Sequence, residues 1–363
     1  MTRSCIARRH IFLVLMTTGL LLSACVTPTR EESGPITVIT GTAPAMESAW
    51  LEPFFTSPEN RPSSGYEGGS DEDLAAAIDR ARLTVDVAAY SLNLWSIRDA
   101  LIHARQRGVV VRLVMESDNM DNEEIQQILD AGIPIHGDQR EGLMHNKFIV
   151  LDRSEVWTGS MNFTVSGAYY DNNNLLWIRS TRVAETYTTK FEEMFEEDRF
   201  GPGGRQPTAD PVATVNGTQI ETYFSPEDPV AGYILAIIQN ANESIYFLAY
   251  SFTADDLGAA IRQRAAEGLP VAGVMEDGQI DSNQGTEYDS FIQAGVDVRR
   301  DGNDGQMHHK VIIIDRSIII TGSYNFTASA AEQNDENVVI IHDPEIASQY
   351  MDEFQHIYDQ AHP

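Results

Sequence analysis

Apolar and polar positions along the chain run through one strand and helix order twice. Val85-Asp86-Val87-Ala88-Ala89-Tyr90-Ser91-Leu92 and Ile245-Tyr246-Phe247-Leu248-Ala249-Tyr250-Ser251-Phe252 read as equivalent buried strands, and Phe55-Thr56-Ser57-Pro58-Glu59 before the first is answered by Tyr223-Phe224-Ser225-Pro226-Glu227 before the second. Helical spacing follows each strand, at Ile97, Leu101 and Ile102 and at Leu257 and Ile261, and stops at Gly108 and Gly268. Strands are predicted over 109–115 and 269–275, then a second helix closed by Ala131-Gly132 and by Ala294-Gly295. Continuous apolar runs at 148–151 and 311–314 predict central strands, with 156–158 and 318–321 as neighbours. Asp152-Arg153-Ser154 and Asp315-Arg316-Ser317 supply the turns between them. Strands alternating with helices predict an α/β fold of two pseudo-twofold-related halves, each a mixed β-sheet flanked by helices.

The halves are expected at 49–200 and 218–363, joined by a linker at 201–217 that opens on Gly201-Pro202-Gly203-Gly204. The 363 residues, 42% of them apolar, can fill two cores. Residues 1–24 read as an export signal, because Arg3, Arg8 and Arg9 precede an apolar run from Ile11 to Leu22 that is short for a membrane span. Residues 25–48 have the Thr, Pro, Glu, Ser and Gly content of a tether. Cys5 and Cys25 are the only cysteines, so the folded part offers neither a disulfide nor a thiolate metal site. The formal net charge of −29 becomes −32 once the three signal arginines are gone, and that surface disfavours gripping a long polyanion.

Chemistry is concentrated in a duplicated polar constellation. His145-x-Lys147-x4-Asp152-x6-Gly159-Ser160-x-Asn162 recurs 163 residues later as His308-x-Lys310-x4-Asp315-x6-Gly322-Ser323-x-Asn325. The chain has only three lysines, Lys147, Lys190 and Lys310, and two of them stand at the same motif position. A compact ammonium kept twice beside a histidine suits a small anion. Strand alternation puts His145 and Lys147 on one face, so both can reach one spot. Metal-free cleavage of a phosphodiester needs cations on the nonbridging oxygens, a neutral nucleophile and an acid for the leaving oxygen. Two histidines, two lysines and two asparagines supply these. No cofactor or metal is expected, since His103, His136 and His342 lack partners at ligand spacing and His309 points away from His308. Trp157 and Trp95 read as core; Tyr169 and Tyr170 could line an apolar lip or a stacking platform.

With those residues in view, the chain resembles the phospholipase D superfamily, which carries His-x-Lys-x4-Asp followed by Gly-Ser-x-Asn once in each half. Leu22-Ser23-Ala24-Cys25 resembles a bacterial lipobox, implying an exported protein lipid-anchored through Cys25 to the cell envelope, at the outer membrane if the host has one. The superfamily resemblance implies that both motifs line one cleft, that His145 forms a phosphohistidine, and that His308 acts first as acid and then as base. Lys147, Lys310, Asn162 and Asn325 would hold the phosphate, with Ser160 and Ser323 supporting it. Asp152 and Asp315 complete the catalytic motif by fixing strand and turn. After the second motif Asn334-Asp335-Glu336-Asn337 faces Asp171-Asn172-Asn173-Asn174 of the first, so Glu336 has no acidic counterpart. In similar enzymes such an acid supports the nucleophilic histidine of the other half, which would pair Glu336 with His145 and Asn173 with His308.

Three functions follow for a chain expected to act as a monomer: hydrolysis of phospholipid headgroup diesters, cleavage of DNA or RNA at the cell surface, or phosphodiester binding without turnover. Intact motifs in both copies count against the last. The anchor and the acidic surface favour phospholipid.

Overall fold

The computed structural model describes residues 49–60, 66–202 and 206–362. The expected signal, the Cys25 lipid site and the tether lie outside the described residues. In the first half the chain forms β1 (Leu51–Phe55), α1 (Ser70–Arg80), β2 (Thr84–Ala89), α2 (Trp95–Gln106), β3 (Val110–Met115), α3 (Glu123–Asp130), β4 (Ile135–Gly137), β5 (Lys147–Leu151), β6 (Glu155–Gly159), α4 (Val165–Tyr169), β7 (Asn174–Arg179) and α5 (Thr181–Glu197). It continues with β8 (Val212–Val215), β9 (Thr218–Ser225), α6 (Val230–Gln239), β10 (Ile245–Ala249), α7 (Asp255–Ala266), β11 (Val271–Met275), α8 (Asp277–Ser282), α9 (Tyr288–Gln293), β12 (Asp297–Arg300), β13 (Lys310–Ile314), β14 (Ile318–Gly322), α10 (Ala328–Glu332), β15 (Glu336–His342) and α11 (Pro344–Gln360).

Strand order is β1-β7-β6-β5-β2-β3-β4 in one sheet and β12-β11-β10-β13-β14-β15-β9-β8 in the other. Element by element these are one topology, with β2, β3 and β4, and likewise β10, β11 and β12, parallel and the remaining pairs antiparallel. The fold class is as the sequence predicts. Two details differ. Val212–Val215 of the expected linker is a strand, β8, which pairs with β9 and extends the second sheet by one edge. The single helix expected before Gly295 is two short ones, α8 and α9, with Gly285 at φ 76° in the connection between them.

Alternation in the central strands decides what packs where. Phe148 and Val150 of β5 and Val311 and Ile313 of β13 face a shared core that contains Tyr187 and Phe191 of α5 and Tyr350 and Phe354 of α11. Ile149 and Leu151 instead face the outer core of the first half, and Ile312 and Ile314 that of the second. The two C-terminal helices are therefore filling between the sheets. Emptying one of those aromatic positions, as in Tyr187→Ala, costs about 3–5 kcal/mol.

The motif aspartates act at the turns. Asp152 and Arg153, like Asp315 and Arg316, take consecutive left-handed conformations with φ near 50° within three-residue connections, since Leu151 pairs with Glu155 and Ile314 with Ile318. The Asp152 carboxylate accepts N–H bonds from Arg82, Leu83 and Thr84 at 2.7–3.0 Å, and Asp315 repeats this with Asn242, Glu243 and Ser244. They stand at the far end of β5 and β13 from the lysines, about 15 Å along the strand. Their carboxylates tie the hairpin to the neighbouring strand and do not reach the histidines.

Candidate active site

Each histidine enters the site on a segment completed by the other half. Met144 forms a parallel bridge with Asp335, and Met307 forms one with Asn172. His145 N–H donates to the Asp335 carbonyl at 2.9 Å, and His308 N–H to the Asn172 carbonyl at 2.9 Å. Contacts that repeat with the halves exchanged define a pseudo-twofold axis. The residue after each bridge then reaches the opposite imidazole.

His145 Nδ1 lies 2.7 and 2.8 Å from the Glu336 carboxylate oxygens, whereas His308 Nδ1 lies 2.9 Å from Asn173 Oδ1. Both partners are fully buried. Glu336 accepts from Ser323 Oγ at 2.6 Å and Asn334 Nδ2 at 3.3 Å. Asn173 accepts from Ser160 Oγ at 2.8 Å and sends its NH2 to the Gly167 carbonyl at 2.9 Å, which fixes the amide orientation. In each case Nδ1 carries the hydrogen and donates it, and Nε2 is left as the free ring nitrogen.

Ser160 and Ser323 need a corrected role. Both are wholly buried, their hydroxyl hydrogens are spent on Asn173 and Glu336, and their oxygens accept the N–H groups of Asn174 and Asn337 at 3.0 and 2.9 Å. They orient the groups behind the histidines and have no hydrogen left for a phosphoryl oxygen. Gly159 and Gly322 precede them because a Cβ there would come within 2.3 Å of the Asn174 or Asn337 carbonyl oxygen. Asn162 and Asn325 turn Oδ1 inward, buried and without a hydrogen-bond partner, which leaves the NH2 as the accessible end of each amide.

Lys147 and Lys310 are buried, each holding the carbonyl of its own motif histidine at 2.8 Å. Tyr90 and Tyr250, which the sequence reading left in the opening strands, belong to the site. Lys147 Nζ lies 5.1 Å from the Tyr90 ring centroid and Lys310 Nζ 4.7 Å from that of Tyr250, and the same rings meet His145 and His308 edge-on. Their repeated Ala-Tyr-Ser context was the available signal. The sequence alone did not show that the strand end points them into the cleft.

Burial pushes the His145 imidazole down to about 4, with Lys147 and Lys310 adding to the effect and Glu336 opposing it. His308 is lowered by burial and then by both lysines. Lys147 falls to about 7 for want of solvent, and Lys310 is lowered by burial and by Lys147. Without an anion, the cleft holds neutral imidazoles and ammonium groups that lose protons easily. An incoming phosphodiester supplies the missing negative charge.

Other predicted residues lie elsewhere. Trp157 is buried, but Trp95 is 53% exposed, against the core assignment; it forms an aromatic cluster with Tyr66, and Tyr66 also meets Tyr169 and Tyr170. A tryptophan at the first position of α2 can lie flat on the surface with its N–H on Glu124, 3.0 Å away. His309 is buried on the opposite side of the strand from His308, 3.0 Å from Glu353 of α11. Among the described residues no group of three or more His, Cys, Asp or Glu side chains could hold a metal ion, and no helix is long and apolar enough to cross a membrane.

A family model described as "Cardiolipin synthase, PLD-like domain" matches residues 74–195 and 234–358, one segment in each half. The chain is 28% identical over 207 residues to a "Phospholipase D" of Rickettsia prowazekii, covering 57% of this chain and 91% of the relative. It is 33% identical over 130 residues to the human "Mitochondrial cardiolipin hydrolase", covering 36% of this chain and 51% of that protein. Its fold matches the phosphatidylserine synthase of Haemophilus influenzae with a TM-score of 0.64 over 82% of this chain and 86% of that one, at 14% identity. With matches in both halves, the chain belongs to the family of cardiolipin synthase, PLD-like domains, and is a phosphodiesterase hydrolase of the phospholipase D superfamily.

Proposed function

We propose that this cleft hydrolyses phospholipid headgroup diesters through a phosphohistidine on His145, without a metal ion. The supporting observation is the unequal pair of groups behind the histidines. When His145 Nε2 attacks phosphorus the ring becomes cationic, and the Glu336 carboxylate on Nδ1 stabilises that charge. His308 faces a neutral amide, so its protonated form is held less firmly and gives up its proton readily. With the anion bound and His308 protonated at Nε2, the first step forms the N–P bond, breaks the bond to the headgroup oxygen, and moves that Nε2 proton onto the oxygen. In the second, neutral His308 takes a proton from water as the water oxygen attacks phosphorus, and the P–N bond breaks to free His145 and phosphatidic acid. Lys147, Lys310 and the amide NH2 groups of Asn162 and Asn325 would carry the charge of the phosphoryl oxygens.

Phospholipid is preferred over nucleic acid because the chain is strongly acidic and because a lipid on Cys25 would hold the enzyme in the cell envelope beside a bilayer. The test is turnover by the purified protein, with chelator present, on mixed phospholipid vesicles and on single-stranded and plasmid DNA, with His145→Ala as blank. Phosphatidic acid without DNA cutting is the expected result. DNA cutting with intact lipid would make it a nuclease, and dependence on a metal would overturn the metal-free chemistry.

A further inference from the structure

The pseudo-twofold symmetry also fails two residues before the histidine supports, at Asp171 and Asn334. Residues 171–173 run beside 306–308 through the Asn172 bridge, and strand alternation puts Asp171 on the same side as Asn173, which bonds His308. The half-buried Asp171 accepts the Gln306 N–H at 3.1 Å. Its mirror position is Asn334, which accepts the Leu143 N–H at 3.2 Å and turns its NH2 to Glu336. Beyond the histidine supports, one side thus carries a half-buried carboxylate and the other a buried amide.

The carboxylate stands on the His308 side, where the proposed mechanism releases the alcohol. Burial raises the Asp171 carboxyl to about 6, opposed by the Gln306 N–H and the charge of Lys310, so it is ionised above neutrality; Tyr250 feels its charge and that of Glu276. A negative charge beside the departing oxygen attracts an ammonium group two carbons away and does nothing for a neutral polyol. We infer that Asp171 is a specificity-determining residue that selects phosphodiesters whose leaving alcohol carries an ammonium group, such as ethanolamine. This rests on the phospholipase reading above. A carboxylate that served only as counter-ion to Lys310 would affect every substrate alike.

The experiment compares kcat/KM of the full chain on monomeric dihexanoyl phosphatidylethanolamine and dihexanoyl phosphatidylglycerol, for wild type, Asp171→Asn and Asp171→Ser. Using monomers removes the effect of vesicle surface charge. The wild-type ratio should favour ethanolamine by about tenfold, and both variants, which keep an acceptor for Gln306 but lose the charge, should bring it near one. A ratio unchanged by both substitutions, including equal loss on both lipids, overturns the inference. If wild type cleaves neither lipid yet cleaves bis(4-nitrophenyl) phosphate or DNA, the phospholipase reading itself fails and the inference with it.

Discussion

The two halves carry the same seven-strand order, the same hairpin with its aspartate, the same buried lysine under a tyrosine and the same serine behind the histidine support. They part at the support itself, carboxylate for His145 and amide for His308. Scaffold residues are thus shared, while the residues that set proton affinity are not. Two otherwise matched imidazoles can be given different work by exchanging one atom group behind each.

Several changes would break or sharpen that contrast. His308→Ala is expected to cut turnover of alkyl phosphodiesters about 10³-fold but the first-turnover release of nitrophenolate from 4-nitrophenyl esters far less, because nitrophenolate leaves without a proton. Equal loss on both esters in the first turnover, read by rapid mixing before the phosphoenzyme hydrolyses, would count against the acid role. Next in size, Glu336→Gln makes the supports alike and should lower kcat about 10²-fold, with less phosphoenzyme trapped on acid quench; Asn173→Gln should cost less. A larger effect at Asn173 would reverse the assignment of the two histidines.

The lysines give a smaller, pH-dependent effect. Lys147 must be protonated to bind an anion, and its value in the empty cleft is about 7. KM should therefore rise as pH climbs through that value, up to about tenfold by pH 8, which initial-rate measurements across pH will read. The sign for folding is opposite. Between about pH 7 and 10.5 the unfolded chain holds a proton at Lys147 that the folded chain does not, so stability rises with pH in that window. Lys147→Met should flatten this dependence and raise Tm near neutrality by about 2–6 °C while abolishing turnover. Scanning calorimetry at pH 7 and 9 is the check, and a lower Tm in the variant would remove the idea of a strained ammonium.

Much of this was legible in the chain because duplication acts as an internal control. The strands around 148–151 and 311–314, the turns at Asp152 and Asp315, and the positions of Glu336 and Asn173 could all be read against their own copies. What one sequence hides is partnership at a distance. An amphipathic pattern in 181–197 or 344–360 says that a face is buried, not that it is buried between two sheets. Ser160 and Ser323 stand next to the motif asparagines, yet the direction of a hydroxyl hydrogen depends on what lies behind it. Trp95 was misjudged because its size suggests burial, whereas the first turn of α2 presents it outward. Val212–Val215 looked like linker because four residues, Val-Ala-Thr-Val, are too few to show a strand period beside the Gly- and Pro-rich stretch before them.

The bridges at Met144 and Met307 also bear on how such a catalyst can diversify. Two identical chains meeting about a true twofold axis must place the same residue behind both histidines, since every change is made twice. Joined in one polypeptide, the copies can vary independently. A carboxylate on one side, an amide on the other, and an aspartate before only one of the two supports then become possible in a single molecule. Covalent fusion turns a symmetric cleft into one with an entrance and an exit.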